Sequence, residues 1–194
     1  MEIASRADLV TRAKNMILSP TTEWPLVAAE PVTVNGLYQS YIIPLAAIPP
    51  VATFIGRLIF LPHFGFGGAL IGAIVAYILS LLAVYILAFI AAKLAPMFGA
   101  ADNFDAGLKF AAYGSTAAWV GGIFHIVPAL GILSLLAAIY GIYLFYTGVA
   151  PVMNVPTDKV IGYLIAWIVA AIIVLVIIAA IVGAIVGTGM YGMM

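Results

Sequence analysis

Three side chains in or beside the apolar segments could take part in chemistry, namely Arg57, His63 and His125. The topology predicted below places all three on the same side of the membrane. A pair of histidines on one face could bind a metal ion or respond to pH. No carboxylate or cysteine accompanies them on that side, so a metal site there would lack ligands. The sequence therefore favours ordinary boundary residues, with the Arg57 guanidinium extending toward the polar phase. We predict no metal or cofactor site.

The other charged residues are placed to end and begin helices. Asp102 and Asp105 precede an apolar segment, where acidic side chains favour a helix N-terminus. Asp105 and Lys109 stand four apart, which suits an ion pair on one helical face. Thr157 and Asp158 are placed to cap the last segment. Cysteine is absent, and no phosphate-binding glycine loop, HExxH or GxSxG motif occurs. We therefore predict no catalytic residue and no enzymatic activity.

Composition indicates which solvent surrounds these residues. Of the 194 residues, 66% are hydrophobic and 7% are charged, against about 25% charged in an average soluble domain. A soluble protein of this size could not bury so much apolar surface. The formal net charge is zero, so no basic face for nucleic acid is expected. The composition predicts an all-α, polytopic membrane helix bundle in contact with the lipid bilayer.

Five apolar blocks are long enough to span, since a helix needs about 20 apolar residues to cross about 30 Å of hydrocarbon. The predicted transmembrane helices cover residues 35–60, 68–92, 106–124, 128–150 and 160–186. Pro44, Pro49 and Pro50 predict a kink in the first. The short break at residues 125–128 predicts a tight turn that joins the third and fourth as a helical hairpin.

The N-terminal region, residues 1–34, differs from the transmembrane domain of residues 35–194. Residues 3–18 read as an amphipathic helix, and their interspersed charges do not fit a cleavable signal peptide. The helix either lies in the headgroup plane, which its basic amphipathic character favours, or docks on the inner ends of the bundle. Residues 20–34, with three prolines, predict an irregular linker. Trp24 suits the membrane–water boundary.

Basic residues predict the orientation of the five spans. Six of them fall on one side of the membrane: Arg6, Arg12, Lys14, Lys93, Lys109 and Lys159. Arg57 alone falls on the other. Because cytoplasmic loops are enriched in lysine and arginine, the N-terminus is expected in the cytoplasm and the C-terminus outside. If the third and fourth spans were a single span, Lys159 would lie on the other side of the membrane and the charge asymmetry would be weaker. The charge distribution therefore favours five spans over four.

Small residues recur every four positions in three spans, as expected where membrane helices approach closely. The stripes are Gly68, Gly72, Ala76 and Ser80; Gly114, Ala118 and Gly122; and Ala179, Gly183 and Gly187. They could mediate homo-oligomerisation, but packing within one bundle is the favoured interpretation. Aromatic residues near the inner end of the fourth span are typical of an interfacial belt: Tyr140, Tyr143, Phe145 and Tyr146.

Longer stretches of the sequence resemble a known family. They are LSPTTEWPLVAAEP (18–31), LYQSYIIPLAAIPPVATFIG (37–56), FAAYGSTAAWVGGIFHIVPALG (110–131) and IYGIYLFYTGVAPVMNVPTDKVIGYLIA (139–166). In this order they are similar to a bacterial member of the Yip family, the Ypt/Rab-interacting-protein type of five-span membrane protein. Leu37 and Tyr38 with Pro44 only partly match the DLYGP signature of eukaryotic members. The resemblance implies five spans and an inner-membrane location, but a bacterium lacks the Rab partner of vesicle traffic.

Two functions remain open at this stage. The leading interpretation is a non-enzymatic scaffold or accessory protein that binds lipids, a membrane-protein partner or a second copy. The alternative is a small oligomeric transporter or channel, since prolines break helices at transporter binding sites. A continuous polar cavity lined by Tyr38, Tyr41, Ser115 or Thr116 would contradict the scaffold.

Overall fold

The computed structural model describes residues 6–61 and 65–191, and within these ranges every regular element is a helix. The predicted all-α fold is confirmed. The helices are α1 (Arg6–Leu18), α2 (Pro20–Ala29), α3 (Val34–Phe60), α4 (Gly65–Leu94), α5 (Phe104–Gly114), α6 (Thr116–Gly121), α7 (Gly131–Met153) and α8 (Val160–Tyr191).

Four of the described helices are long and apolar enough to cross a membrane, namely α3, α4, α7 and α8. They match the first, second, fourth and fifth predicted spans, with boundaries that differ by a few residues. Their outward faces expose large apolar side chains, such as Ile172 and Val176 on α8. Such faces are stable only against lipid, so the chain is a multi-pass membrane protein in contact with the bilayer.

The predicted third span is a broken helix. Helix α5 ends at Gly114, α6 follows from Thr116, and a 3-10 turn continues to Ile126. The Ser115 hydroxyl donates to the Ala111 carbonyl and the Thr116 hydroxyl to that of Tyr113, which satisfies acceptors where the helix is interrupted. This segment still runs the full length of the bundle. The total of five transmembrane crossings stays a prediction.

Helix α5 is the centre of the bundle. Every residue from Gly107 to Gly114 is buried. A Cβ at Gly107 would lie 2.3 Å from the Ala88 carbonyl oxygen, so glycine is required where α5 crosses α4. Phe110 packs against the rings of Phe145 and Trp167, at centroid distances of 5.1 and 5.2 Å. These contacts tie α5 to α7 and α8.

The predicted kink in α3 is confirmed. A π-helical turn covers Tyr38–Ile42, and the helix breaks again at Ala47 before resuming at Ile48. Proline lacks an N–H and leaves a carbonyl of the preceding turn without its helical donor. At this break the Ala47 N–H bonds the Leu45 carbonyl instead of that of Ile43, and the Tyr77 hydroxyl donates to the Ile43 carbonyl at 3.0 Å. A side chain from α4 thus stabilises the irregular backbone.

The two ends of the bundle differ in charge. At one end, called the lysine end, Lys93 forms an ion pair of 2.5 Å with Asp102, and Lys109 and Lys159 lie nearby. At the other end, called the Arg57 end, Arg57 and His125 line one cavity. The predicted tight turn between the third and fourth spans lies here, as two 3-10 turns on either side of extended Val127.

The expectation of an irregular linker over residues 20–34 was wrong. Pro20–Ala29 forms helix α2, because Pro20 occupies the first helical turn, where its missing N–H costs nothing. Pro25 lies on the exposed face of α2, where its ring does not disturb the packing against the bundle. Helices α1 and α2 form a helical hairpin joined at Ser19, which we call the inserted hairpin.

The small-residue stripes have different roles. A Cβ at Gly114 would lie 2.1 Å from the Phe145 ring, and one at Gly122 would lie 2.5 Å from Pro49. These two glycines serve packing inside the bundle. In the fifth block, Ala179 and Gly183 are exposed, and Gly187 lies outside the residues whose side chains are described. The fourth-span aromatics also divide: Tyr143 and Tyr146 face outward, whereas Phe145 belongs to the core.

Candidate functional site

The inserted hairpin enters the bundle from the lysine end and reaches deep along α7. At its corner, the Tyr140 hydroxyl donates to the Ile17 carbonyl at 2.6 Å. Tyr140 lies roughly 13 residues before the end of α7, which corresponds to about 20 Å of helix. The corner therefore lies about 20 Å along α7 from the lysine end, and residues 6–29 are inserted into the bundle.

Trp24 is the anchor of the hairpin. Its side chain has no exposed surface, and the indole N–H donates to the Leu144 carbonyl at 3.1 Å and to Thr147 Oγ1 at 3.2 Å. The ring lies on Gly148, where a Cβ would approach Trp24 Cζ2 to 2.6 Å. Trp24 is thus buried inside the protein, and its predicted position at the membrane–water boundary stays a prediction. Because Gly148 has no side chain, α7 has a slot at this position, and the Trp24 ring fills it.

The face of α1 that packs on the bundle is centred on Ala13 and Met16, which are 7% and 0% exposed. Val10, expected on the apolar face, is 67% exposed, and Ile3 lies outside the described residues. The sequence left two interpretations of α1: a helix in the headgroup plane or a helix docked on the bundle. The contacts of Ala13 and Met16 are those of a docked helix.

A buried ion pair links the two arms of the hairpin. Arg12 Nη1 donates to Glu23 Oε1 at 2.8 Å, and Arg12 Nη2 bonds the Glu30 carboxylate. Glu23 is only 5% exposed. Burial lowers the pKa of Arg12, but the hydrogen bond and charge of Glu30, with smaller effects of Tyr113 and Glu23, raise it above its usual value. Arg12 therefore remains a cation, as Glu23 requires.

Sequence reasoning missed this pair because Glu23 was assigned to an irregular linker. One signal was available. Pro20 at the start and Pro31 just after the end are the positions at which proline frames a short helix. With that helix in place, Arg12 and Glu23 become neighbours across a tight corner.

Two of the four polar residues that could have lined a continuous cavity, Tyr41 and Thr116, bond each other instead. The Tyr41 hydroxyl and Thr116 Oγ1 lie 2.7 Å apart, and the residues are 3% and 0% exposed. The Thr116 hydroxyl proton goes to the Tyr113 carbonyl, so Tyr41 is the donor to Thr116. Neither of the two cavities described below is lined by Tyr38, Tyr41, Ser115 or Thr116. These residues pack the bundle together.

A groove of about 560 Å³ opens at the lysine end, between the end of α2 and the ends of α5 and α7. Its polar lining consists of Glu30, Asn103, Asp105, Lys109 and Asn154, and we call it the lysine-end groove. Lys109 Nζ donates to the carbonyls of Ala28 at 3.0 Å and Glu30 at 2.5 Å. A cation at the C-terminal carbonyls of a helix is favourable, and here it fixes the wall of the groove.

The capping predictions met mixed outcomes. Among the described ion pairs, Lys109 has none with Asp105, because its ammonium is turned toward α2. Asn103 caps α5 by accepting from the Ala106 N–H. The Asp102 carboxylate pairs with Lys93 instead.

At the start of α8, Thr157 and Asp158 are exposed. Among the described hydrogen bonds, the cap contacts there are backbone ones: the Lys159 N–H donates to Pro156, and the Tyr163 N–H to Lys159. The predicted side-chain cap is therefore wrong.

A second cavity, of about 240 Å³, lies at the Arg57 end between α3 and α4. We call it the Arg57 cavity. Its polar lining residues are Thr53, Arg57, Ser80 and His125, and Trp119 also lines it. The structure thus brings Arg57 and His125 together, as the sequence predicted, whereas His63 lies outside the described residues. In the described part of the chain, no group of three or more His, Cys, Asp or Glu side chains could hold a metal ion.

The fold and these sites define a class: a polytopic membrane helix bundle whose N-terminal hairpin is inserted between its spans. A model of the Yip1 domain family matches residues 14–190. The chain therefore belongs to the Yip1 domain family, and the match includes most of the inserted hairpin. Comparisons with curated proteins and with solved structures found no match.

Proposed function

We propose that this protein is a non-enzymatic scaffold of the bacterial inner membrane that binds a protein partner at its lysine end. The observation that carries the proposal is the closed interior. Every buried side-chain nitrogen and oxygen of the described residues has a hydrogen-bond partner within the protein. A conduit or a catalytic centre needs polar groups that are available to a solute. Polar surface for binding is left at the ends.

The lysine-end groove supports a protein partner rather than a small solute. Pro25, Pro31 and Pro151 stiffen its walls, and Lys109 and Trp24 anchor the α2 wall. Because these walls are fixed in the absence of a partner, binding costs them little conformational entropy. The exposed carboxylates of Glu30 and Asp105 suit an extended segment that carries basic side chains.

Basic residues orient the protein in this proposal. The lysine end, with Arg12 in the inserted hairpin, faces the cytoplasm, and the Arg57 end faces outward. Residues 1–34 then form the cytoplasmic N-terminal region, of which residues 6–29 are the inserted hairpin, and residues 35–194 form the five-span domain. The partner is a cytoplasmic segment of another membrane protein or a second copy of this chain.

Site-specific photo-cross-linking tests the proposal. A photoreactive phenylalanine analogue replaces Ala29, in the wall of the groove, or Ala138, an exposed alanine on α7 far from it. We expect cross-linking in native membranes to one reproducible protein from position 29 and to lipid from position 138. Mass spectrometry then identifies the partner or a homo-oligomer. Equal cross-linking from both positions would contradict the proposal.

One observation favours the alternative of a transporter: α3 is broken at Ala47, beside the Arg57 cavity. Broken helices line the binding sites of many transporters. Purified protein in liposomes should nevertheless move no solute on its own. Solute uptake by the protein alone, abolished when Ala76 in the cavity wall is replaced by Phe, would overturn the scaffold and establish transport.

A further inference from the structure

The Arg57 cavity exists because one of its walls carries only small side chains. On α4, that wall consists of Ala69, Gly72, Ala73, Ala76 and Ser80. Helix α3 cannot move in to fill the space, because it is held on its other side. A Cβ at Gly56 would lie 2.6 Å from the Ile126 carbonyl oxygen, and Pro49 lies against Gly122. The cavity is therefore a fixed feature of the packing.

The length of the cavity matches one layer of lipid chains. From Ala69 to Ser80, α4 runs for about 16 Å at 1.5 Å per residue. Half of a hydrocarbon core of about 30 Å is about 15 Å. Phe54 on α3 lies against Phe66 on α4, with ring centroids 5.6 Å apart, which places Arg57 near the mouth of the cavity. Ser80 lies at the other end, toward the bilayer centre.

The cavity is polar at its mouth and apolar along its length. Arg57 and His125 provide the polar groups at the mouth, whereas alanine, glycine, proline and Trp119 form most of the remaining lining. Thr53, Phe54 and Arg57 are half-buried, so the space opens on the surface of the bundle, where lipid is the neighbour. This polarity is that of an amphiphile with one chain inserted.

Charge selects the headgroup. The acidic side chains of the described segments, from Glu23 to Asp158, lie on the hairpin or at the lysine end. The side chains that line the mouth of the Arg57 cavity are basic or neutral. A guanidinium presents several donors in a planar fork that fits phosphate oxygens. A phosphate-bearing headgroup is therefore complementary and a cationic one is not.

We propose that the Arg57 cavity binds one anionic phospholipid, with an acyl chain along the small-residue wall of α4 and the phosphate at Arg57 and His125. The site is distinct from the lysine-end groove and independent of the partner proposed there. The lipid fills the gap between α3 and α4, which the protein's own side chains leave open.

Native mass spectrometry tests this site. The full chain is reconstituted in vesicles of nine parts dioleoylphosphatidylcholine to one part dioleoylphosphatidylglycerol, extracted in mild detergent, and analysed for retained lipid. We expect one retained phosphatidylglycerol per chain despite its minority in the vesicle. Arg57→Gln should reduce this preference about tenfold, the value of one charge-assisted contact of about 1.4 kcal/mol. Arg57→Lys keeps the charge and should lose less.

Two further variants separate binding from folding. Ala76→Leu fills the chain slot and should abolish retention of either lipid, while Ala138→Leu, on an exposed surface of α7, should retain it. Lys159→Gln removes one positive charge at the lysine end and should leave the preference unchanged. If Arg57→Gln and Ala76→Leu retain phosphatidylglycerol as the wild type does, the proposal is overturned. Protection against thermal unfolding by inorganic phosphate alone, without retained lipid, would also overturn it.

Discussion

Glu23 is the most informative single residue, because a carboxylate with 5% of its surface exposed lies between two helices of a membrane protein. An unpaired charge in such a place would be costly, and the geometry supplies its partner, Arg12, at 2.8 Å. Arg12 also bonds Glu30, whose side chain is 46% exposed. Arg12 thus pairs with one buried and one exposed carboxylate, so the effect of burial on an ion pair can be compared at one site.

We expect Glu23→Gln to destabilise the protein by about 1–2 kcal/mol, because Arg12 loses its buried counter-charge but keeps Glu30. Glu30→Gln should cost less than about 1 kcal/mol, since exposed pairs contribute little. Both values come from unfolding in mixed detergent, followed by tryptophan fluorescence. Equal losses for the two variants would show that burial of the pair has no energetic consequence.

At the residue scale, sequence reasoning located charges at helix ends but not their partners. The spacing of Asp105 and Lys109 predicted an ion pair within one helix. Lys109 instead bonds two carbonyls of α2, a helix that is distant in the sequence. The burial of Trp24 was similarly not predicted, because the glycine against which it packs is residue 148. Local patterns cannot reveal a partner that is 120 residues away.

At the scale of the element, the inserted hairpin depends on the fit between α2 and α7. The two are joined by the Trp24 hydrogen bonds and by contact of the indole ring with Gly148. Helix α7 contains a second buried glycine, Gly141, where the nearest atom to an added Cβ is the Gly114 carbonyl oxygen at 4.0 Å. The two glycines therefore differ in whether a methyl group can be accommodated.

Gly148→Ala should push Trp24 out of its slot and loosen the hairpin, despite the gain of up to about 1 kcal/mol in helix propensity. The readout is maleimide modification of a cysteine placed at the fully buried Met16, since the native chain has no cysteine. We expect several-fold faster modification than in the otherwise wild-type protein. Gly141→Ala is the control and should leave the rate unchanged.

Periodicity and length were sufficient to predict α3, α4, α7 and α8, because each must bury or expose a continuous apolar surface. They were insufficient for α2 and for the break at Ser115. Three prolines in fifteen residues argue against a helix unless their positions relative to its ends are known. The hydroxyls of Ser115 and Thr116 bond carbonyls of the preceding turn. Counting the apolar residues of a segment does not reveal such an interruption of the helix.

At the scale of the whole molecule, the predicted topology rests on the charge asymmetry and on the segment of α5 and α6. Exposed Met97 lies at the lysine end, whereas exposed Ala129 lies in the turn at the Arg57 end. The chain between them passes through the centre of the bundle. If this segment is a transmembrane crossing, the two positions are on opposite sides of the membrane.

Single cysteines at positions 97 and 129 test this topology with a membrane-impermeant maleimide. In intact cells with a permeable outer envelope, we expect labelling of Ala129→Cys and no labelling of Met97→Cys until the inner membrane is opened. Asp158→Cys should behave as Met97→Cys does. Labelling of positions 97 and 129 from the same side would contradict a fifth crossing, and the reverse pattern would contradict the orientation.

The contact between Trp24 and Leu144 also constrains the order of events during synthesis. The hairpin leaves the ribosome more than a hundred residues before the α7 surface that receives it. At about 5–20 residues per second, that interval is roughly 6–24 s. Throughout it, Arg12 and Glu23 lack their final surroundings. Helices α1 and α2 are thus made before α7 but can reach their native position only after it.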